Sequence, residues 1–321
     1  MNDRLADLTP DESLRRLELQ VTRRLDGLLH GRHLGLLPGP GTELAEARLY
    51  LPGEDDVRHL DWAVTARTTI PHVRDLIADH ELEAHVLVDL TPSMGFGTTR
   101  LPKRDLAVAA LAAIGFLTTR LGDRIGALIL TQDPARPLQR IPARTGRPAL
   151  YGLLRTLLDT PTDPRPDPAR LTLAEAITGF ARARSRRGLR VVISDFLTPD
   201  PTGAPDWEAP LRHLAARHQV LAIEILDPRE LDLPDIGLVE FTDPETGAVH
   251  EIALTRKVRA DYAQAAAAQR TAIAQAIRRA GAHHLILRTD RDWISDIAAF
   301  ALRQRRATGR AARPAPSRST S

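Results

Sequence analysis

The sequence predicts an α/β fold with a doubly wound, mostly parallel sheet. Short apolar runs bounded by charged and turn residues recur from residue 81 onward, and helical segments separate them. Such runs suit strands buried on both faces, and the alternation is typical of parallel sheets covered by helices on both sides. With 43% hydrophobic and 26% charged residues, the chain has the composition of a globular protein.

The elements follow in chain order. Buried strands are predicted at 85–91, 124–131, 189–196 and 219–226, and a short strand at 283–288. Helices are predicted at 13–30, 103–120, 148–158, 257–280 and 291–305, with another that begins at Thr172. Thr172 and Glu175 have the spacing of a capping box. A hairpin is predicted over 236–253, with its turn at Asp243–Gly247.

Three regions follow from this assignment. Residues 1–80 hold the first helix and a turn-dense, β-rich appendage, and residues 81–305 form the α/β domain. Residues 306–321 are expected to be a disordered basic tail. Without the six arginines at 303–318, the formal charge of +3 becomes −3, so we expect no nucleic-acid partner.

Two further features of the sequence limit the chemistry and the location that we expect for the protein. The chain has no cysteine, which excludes thiolate chemistry and Cys-ligated zinc. The longest apolar run, 106–119, is shorter than the roughly 20 residues that span a bilayer. We therefore expect no membrane span and a cytoplasmic location.

Oxygen-bearing side chains stand where two predicted strands end. Asp89, Thr91 and Ser93 follow the first buried strand at spacings of two, and Ser194-Asp195 ends the third. Open parallel sheets bind ligands beyond the carboxyl ends of their strands. Hard cations such as Mg²⁺ prefer oxygen ligands, so the pattern predicts a cation site there.

The D-x-T-x-S string, with S-D at a later strand end, resembles the metal-ion-dependent adhesion site of von Willebrand factor A-type domains. The resemblance implies a doubly wound von Willebrand factor A-type fold. It also implies that Asp89, Thr91, Ser93, Thr145 and Asp195 surround Mg²⁺ or Mn²⁺. An acidic side chain of a partner protein would complete the coordination. The family usually has serine where this chain has Thr91, which keeps the hydroxyl.

Further motifs resemble the bacterial family designated domain of unknown function fifty-eight. They are Arg48-x-Tyr50-x-Pro52-Gly53, Asp56-Val57-Arg58, Asp61-Trp62, Ala66-Arg67, Asp227-Pro228 and Thr242-Asp243-Pro244-x-Thr246-Gly247. The similarity runs from about residue 30 to 305. It implies that this chain is an adaptor or chaperone partner of a MoxR-type AAA+ ATPase. It also implies that the chain itself has no enzymatic activity.

The segment from Arg48 to Arg67 has two interpretations. In the structural one, which we favour, Tyr50 and Trp62 anchor the appendage while Arg58 and Asp61 form an ion pair. In the functional one, all six of the following side chains form a docking surface for the ATPase: Arg48, Tyr50, Arg58, Asp61, Trp62 and Arg67.

An enzymatic alternative remains open. A Mg²⁺-dependent phosphohydrolase also places a nucleophilic aspartate at a strand end, and Asp89 would be that residue. Such enzymes usually carry a second acid two residues later, where this chain has Thr91. They also need a lysine near the phosphate, and the sequence offers only Lys103 and Lys257.

Overall fold

The structure is a computed structural model. It describes residues 10–29, 47–50, 60, 62–74, 83–99, 101–120, 123–131, 133, 135–161, 171–182, 188–198, 203–242 and 249–311.

The strands of the described part are β1 (Ala47–Leu49), β2 (His72–Arg74), β3 (Glu83–Asp89), β4 (Arg124–Leu130), β5 (Leu138–Thr145), β6 (Leu189–Ser194), β7 (Gln219–Leu226), β8 (Leu238–Thr242), β9 (Val249–Ala253) and β10 (His283–Arg288). The central sheet has the order β10-β7-β6-β3-β4-β5. All its neighbouring strands are parallel except β4 and β5, which are antiparallel. The predicted mixed α/β fold with a mostly parallel sheet is confirmed.

The helices are α1 (Pro10–Leu29), α2 (Trp62–Thr68), α3 (Lys103–Arg120), α4 (Arg147–Asp159), α5 (Leu173–Arg182), α6 (Glu208–Ala215), α7 (Arg256–Arg279) and α8 (Trp293–Ala311). The predicted capping box at the start of α5 is present. The N–H of Thr172 donates to Glu175 Oε2 at 2.9 Å, and the N–H of Glu175 donates to Thr172 Oγ1 at 3.2 Å.

Helices cover both faces of the central sheet. The apolar side chains of α5, α6 and α7 form one core cluster with strand residues such as Leu87 and Val192. Val86 and Val88 point to the opposite face and are also fully buried. On that face α3 packs against the sheet, with α1 and α4 against α3. Helix α3 therefore lies between the sheet and two other helices, which explains why it is apolar on nearly all sides.

Strand β5 was not predicted. Its sequence, LQRIPART, alternates weakly and contains Pro142, which is tolerated because β5 lies at the edge of the sheet. A register shift between Ile125 and Ala127 lies at Gly126, where an added Cβ would stand 2.7 Å from the backbone nitrogen of Ala143. Glycine therefore allows β5 to approach β4 closely.

The chain forms two compact units. One comprises Met1–Leu36 and Leu82–Arg303, and the other Leu37–Glu81 and Gln304–Ser321. The larger unit includes α1, which the sequence analysis had placed beside the appendage in the region 1–80. Its buried residues Leu14, Leu17, Val21 and Leu25 explain the difference, because α1 packs against α3 and α4.

The hairpin and the C-terminal helix can be compared with their predicted bounds. The predicted hairpin is present as β8 and β9, which are antiparallel, while its turn lies outside the described residues. Helix α8 continues to Ala311, six residues past the predicted end of the domain, and 312–321 lie outside the described residues. Among the helices described, none is both long enough and apolar enough to cross a bilayer.

Candidate metal centre

The polar residues that end β3 and β6 lie side by side at the carboxyl edge of the sheet. Strand β3 pairs with β4 on one side and with β6 on the other, so the strand order reverses between β3 and β6. Ligand sites of open α/β sheets form at such a point. The register, with Val88 opposite Ile193, brings Asp89 next to Ser194.

Asp89 is the last residue of β3, and its carboxylate is held from two directions. Oδ1 accepts hydrogen bonds from the N–H of Thr91 at 3.0 Å and from the Thr91 hydroxyl at 2.7 Å. Oδ2 accepts from the hydroxyl of Ser194 at 2.7 Å. Asp89 is buried, and these donors fix its orientation in place of water.

The loop after Asp89 adds two hydroxyl groups. A 3-10 turn at Pro92–Gly95 follows Thr91, and the N–H of Met94 donates to the carbonyl of Thr91 at 2.9 Å. The turn brings Ser93 Oγ to 3.4 Å from Thr91 Oγ1. The structure therefore brings together the three residues that the D-x-T-x-S spacing singled out.

Asp195 follows β6 directly and is buried. Its Oδ1 accepts from the N–H of Leu197 at 3.1 Å. The next residue, Phe196, has φ of 55°, a left-handed conformation that is unusual for an aromatic residue. Trp207 supports it, since its indole Nε1 donates to the Phe196 carbonyl at 3.1 Å and the two rings meet edge to face. Strain of this kind is common at functional sites.

Lys103 also reaches this site, a placement that sequence reasoning missed. Its ammonium donates to Asp195 Oδ2 at 2.9 Å and to Glu230 Oε1 at 2.6 Å. The Lys103 side chain is 0% exposed. The sequence analysis considered Lys103 only as a possible phosphate ligand. Nothing in the sequence links a lysine at the start of a helix to an aspartate 92 residues later.

Asp227, directly after β7, holds the loop between Ser93 and α3 in place. Its carboxylate accepts from the N–H of Thr98 at 2.9 Å, from the Thr98 hydroxyl at 2.6 Å and from the Thr289 hydroxyl at 3.0 Å. The N–H of Asp227 donates to Glu230 Oε2 at 3.0 Å. The sequence analysis had quoted Asp227 only as part of a family motif.

The two strand-end aspartates differ in their proton affinity. Burial, followed by repulsion from Asp195, raises the pKa of Asp89 above its ordinary value, and hydrogen bonds from Ser194 and Thr91 oppose this rise. Burial also pushes the pKa of Asp195 upward. The charge of Lys103, together with hydrogen bonds from Lys103, Leu197 and Ser93, outweighs that effect, so the pKa of Asp195 lies below its ordinary value. The two carboxylates are therefore close enough to repel each other.

The chemistry of these donors fits a hard divalent cation. Asp89, Thr91, Ser93 and Asp195 offer only oxygen atoms, which Mg²⁺ and Mn²⁺ prefer. No group of three His, Asp or Glu side chains that could hold a metal occurs among the described residues, so hydroxyl groups would have to complete the ligand set. A cation between the carboxylates would also relieve their mutual repulsion.

Thr145 does not join this group, which corrects the ligand set that the resemblance implied. Thr145 is the last residue of β5 and pairs with Arg124, which in turn pairs with Glu83 at the start of β3. Asp89 ends β3 six residues later, so Thr145 lies roughly 20 Å away along the sheet. Because β5 runs antiparallel to β4, its last residue lies beside the first residue of β4, at the other end of the strands from Asp89.

The candidate docking residues belong to the smaller unit. Arg48 lies in β1, opposite Val73, and the N–H of Tyr50 donates to the carbonyl of Pro71 at 2.9 Å. Trp62 begins α2 and is 70% exposed, which corrects the interpretation that Trp62 anchors the appendage. Arg67 is exposed in the last turn of α2. Arg58 and Asp61 lie outside the described residues.

A known family profile matches most of the chain, including part of the smaller unit and the candidate metal centre of the larger one. Residues 46–272 match the family described as Protein of unknown function DUF58. The chain belongs to the DUF58 family. The match covers β1, all four strand-end residues of the candidate metal centre, and α7 up to residue 272. It thus includes both regions whose motifs suggested this family.

Mycobacterial proteins resemble this DUF58 chain over most of its length. It is 53% identical over 294 residues to Uncharacterized protein Rv1480 of Mycobacterium tuberculosis, covering 92% of this chain and 89% of that protein. The same values hold for Uncharacterized protein Mb1516 of Mycobacterium bovis. Uncharacterized protein MAV169 of Mycobacterium avium is 49% identical over 169 residues, 53% of this chain and 96% of that protein.

Solved structures show a more distant similarity. Conserved hypothetical protein BatB from Bacteroides thetaiotaomicron aligns with 70% of this chain and 99% of its own, at 16% identity and a TM-score of 0.39. A von Willebrand factor type A protein from Catenulispora acidiphila aligns with 71% of this chain and 43% of its own, at 12% identity and a TM-score of 0.34. Membership of the DUF58 family rests on the sequence profile and the mycobacterial relatives.

Proposed function

We propose that this DUF58 protein is a von Willebrand factor A-type module that binds a partner protein through a divalent cation. The observation that carries the proposal is the convergence of Asp89, Asp195 and the Thr91 hydroxyl where the strand order reverses. Ser93 completes this oxygen-lined group through its contact with Thr91. That the protein is not an enzyme, and that it is cytoplasmic, are parts of the same proposal.

The exposure of the residues suggests the direction from which a partner approaches. Asp89 and Asp195 are buried, whereas Thr91 and Ser93 are half-buried and the next residues, Gly95 and Phe96, are exposed. The carboxylates thus form the inner wall of the site, and the hydroxyl-bearing turn lies toward solvent. A bound Mg²⁺ or Mn²⁺ would offer its remaining coordination position to a carboxylate of the partner.

The residues around Asp89 would prepare the site for this role. Ser194 and Thr91 orient the Asp89 carboxylate through three hydrogen bonds, so its position needs no change on binding. Asp227 fixes the following loop through Thr98. A ligand set that is already held in place loses less entropy when it binds a cation.

The identity of the partner extends the proposal. The resemblance implied a MoxR-type AAA+ ATPase, and membership of the DUF58 family supports testing that partner first. An acidic side chain on the ATPase, or on a protein that it remodels, would reach the cation. Trp62, which is 70% exposed on the smaller unit, is a candidate protein contact on that unit by itself.

Two observations bear on the phosphohydrolase alternative. Lys103 reaches the site, as a phosphatase would require, but its buried ammonium is engaged by Asp195 and Glu230. Thr91 occupies the place of the usual second acid, and its hydroxyl donates to Asp89. We therefore favour the binding module. The alternative predicts Mg²⁺-dependent hydrolysis of an aryl phosphate that Asp89→Asn abolishes.

Binding of the purified MoxR-type ATPase from the same organism tests the proposal. Biolayer interferometry with the full chain would compare the natural protein, Asp89→Asn and the control Asp261→Asn, which changes an exposed aspartate on α7. Mg²⁺ is kept constant, because the ATPase itself uses it. We expect Asp89→Asn to weaken binding at least about tenfold, which is about 1.4 kcal/mol. Equal binding by all three proteins would contradict a role for the cation.

A further inference from the structure

The position of Lys103 is unfavourable for a lysine in two respects. The side chain is 0% exposed, so its ammonium has lost its hydration. Lys103 is also the first residue of α3, where the helix dipole presents its positive end. A positive charge persists in such a place only where acidic groups compensate it.

Two carboxylates provide that compensation. The ammonium of Lys103 lies 2.9 Å from Asp195 Oδ2 and 2.6 Å from Glu230 Oε1. Glu230 is held in turn, because its Oε2 accepts from the N–H of Asp227 at 3.0 Å. Lys103 thus connects the end of β6 with the turn that follows β7, and one of its partners is a proposed metal ligand.

The two proposed carboxylate ligands therefore differ in their surroundings. Asp89 accepts hydrogen bonds from Thr91 and Ser194, which carry no charge. Asp195 accepts from the N–H of Leu197 on one oxygen and from a cation on the other. A divalent ion that enters the site meets one carboxylate without a cationic partner and one that already has such a partner.

We propose that the ammonium of Lys103 is the resident cation of this site, holding Asp195 in place without metal and competing with a divalent cation for that carboxylate. This inference deepens the proposed function, on whose metal site it rests. It has two consequences. The site stays assembled in metal-free protein, and the natural chain binds Mg²⁺ more weakly than the same ligands would without the lysine.

Three variants of the full chain separate competition from a structural role. Lys103→Met removes the charge and keeps the length of the side chain. Lys103→Met combined with Glu230→Gln also removes the carboxylate that would lose its partner, which protects folding and leaves the net charge of the site unchanged. Lys257→Met is the matched control, since Lys257 is the only other lysine of the sequence and is exposed.

Calorimetric titration of Mg²⁺ and Mn²⁺ into chelator-treated proteins gives the affinities, and thermal unfolding with and without Mg²⁺ gives a second readout. We expect both Lys103 variants to bind Mg²⁺ at least about tenfold more tightly than the natural protein, about 1.4 kcal/mol. Without metal their unfolding temperatures should fall, and Mg²⁺ should restore them. Lys257→Met should behave like the natural protein.

A purely structural lysine would lower stability without raising the affinity for metal. The inference is therefore overturned if the double variant binds Mg²⁺ no more tightly than the natural protein. If only the Lys103 variants bind, the inference holds but the proposed metal-dependent function fails for the natural chain. If all proteins bind equally, the inference fails and the proposed function stands. If none binds, both fail.

Discussion

The hydroxyl of Ser194 donates a hydrogen bond of 2.7 Å to Oδ2 of Asp89 and so joins the ends of β6 and β3. The Oγ atom of Ser194 in turn accepts a hydrogen bond from the N–H of Phe196 at 3.1 Å. Ser194 is fully buried, so both bonds form away from water. One side chain thereby orients a proposed metal ligand and supports the left-handed turn that follows Asp195.

Ser194→Ala should destabilise the fold by about 2 kcal/mol, because it leaves a buried carboxylate oxygen and a buried N–H without their partner. Urea unfolding measures the change. The matched control is Ser295→Ala, whose hydroxyl also donates to a carboxylate, that of Asp292, at 2.7 Å but in an exposed place. The control should cost less than about 0.5 kcal/mol. Equal losses in both variants would contradict the account of Ser194.

Thr145→Ala should leave the affinity for Mg²⁺ unchanged, because Thr145 lies at the opposite edge of the sheet from Asp89. Thr91→Ala should weaken Mg²⁺ binding at least about tenfold, since it removes a proposed ligand whose hydroxyl also orients Asp89. Calorimetric titration of the two variants under the same conditions makes the comparison. Loss of affinity in Thr145→Ala would mean that β5 takes a different course.

Asp227→Asn should loosen the loop between Ser93 and α3. The amide group would carry no charge and could not accept all the hydrogen bonds that Thr98 and Thr289 now donate. We expect a loss of about 2 kcal/mol in unfolding free energy and faster hydrogen exchange at the Thr98 amide.

Asp290→Asn is the control for that experiment. Asp290 accepts two hydrogen bonds from Arg288 at the surface, at 2.8 and 2.7 Å. Its loss should change stability by less than about 1 kcal/mol and should leave exchange at Thr98 unaltered. Unchanged exchange at Thr98 in Asp227→Asn would show that the loop does not depend on Asp227.

His85 should make the stability of the protein depend on pH. Burial, followed by the charge of Arg190, lowers the pKa of His85 from 6.5 to about 4. Between these values the unfolded chain binds a proton that the folded protein does not, so stability falls as the pH falls. From pH 7.5 to 5 the loss should be about 2 kcal/mol.

Urea unfolding of the natural protein and His85→Leu across this pH range isolates the contribution of His85. The variant should lack the additional loss, because leucine binds no proton in either state. Parallel curves for the two proteins would contradict the lowered pKa of His85.

The sequence predicted those features that depend on residues close to one another in the chain. The apolar run before Asp89 predicted β3, and the D-x-T-x-S spacing singled out three residues that the turn brings together. The capping box at Thr172 is likewise present. Each of these features depends on residues a few positions apart, whose geometry the backbone itself determines.

The features that the sequence did not reveal depend on contacts between distant segments. The direction of β5, which removes Thr145 from the site, follows from its pairing with β4. The placement of Lys103 depends on Asp195 and Glu230, which lie on other elements. Neither hydrophobic periodicity nor a sequence motif predicts contacts between such distant residues. They come together only when the sheet has folded.

The central claim is tested most directly by calorimetric titration of Mg²⁺ into the chelator-treated natural protein beside Asp89→Asn. Asparagine keeps the shape of Asp89 and can still accept from Thr91, so the variant should fold while it loses the negative charge. We predict one saturable site in the natural protein and none in Asp89→Asn. No binding by the natural protein, or equal binding by both proteins, would contradict a metal centre at the ends of β3 and β6.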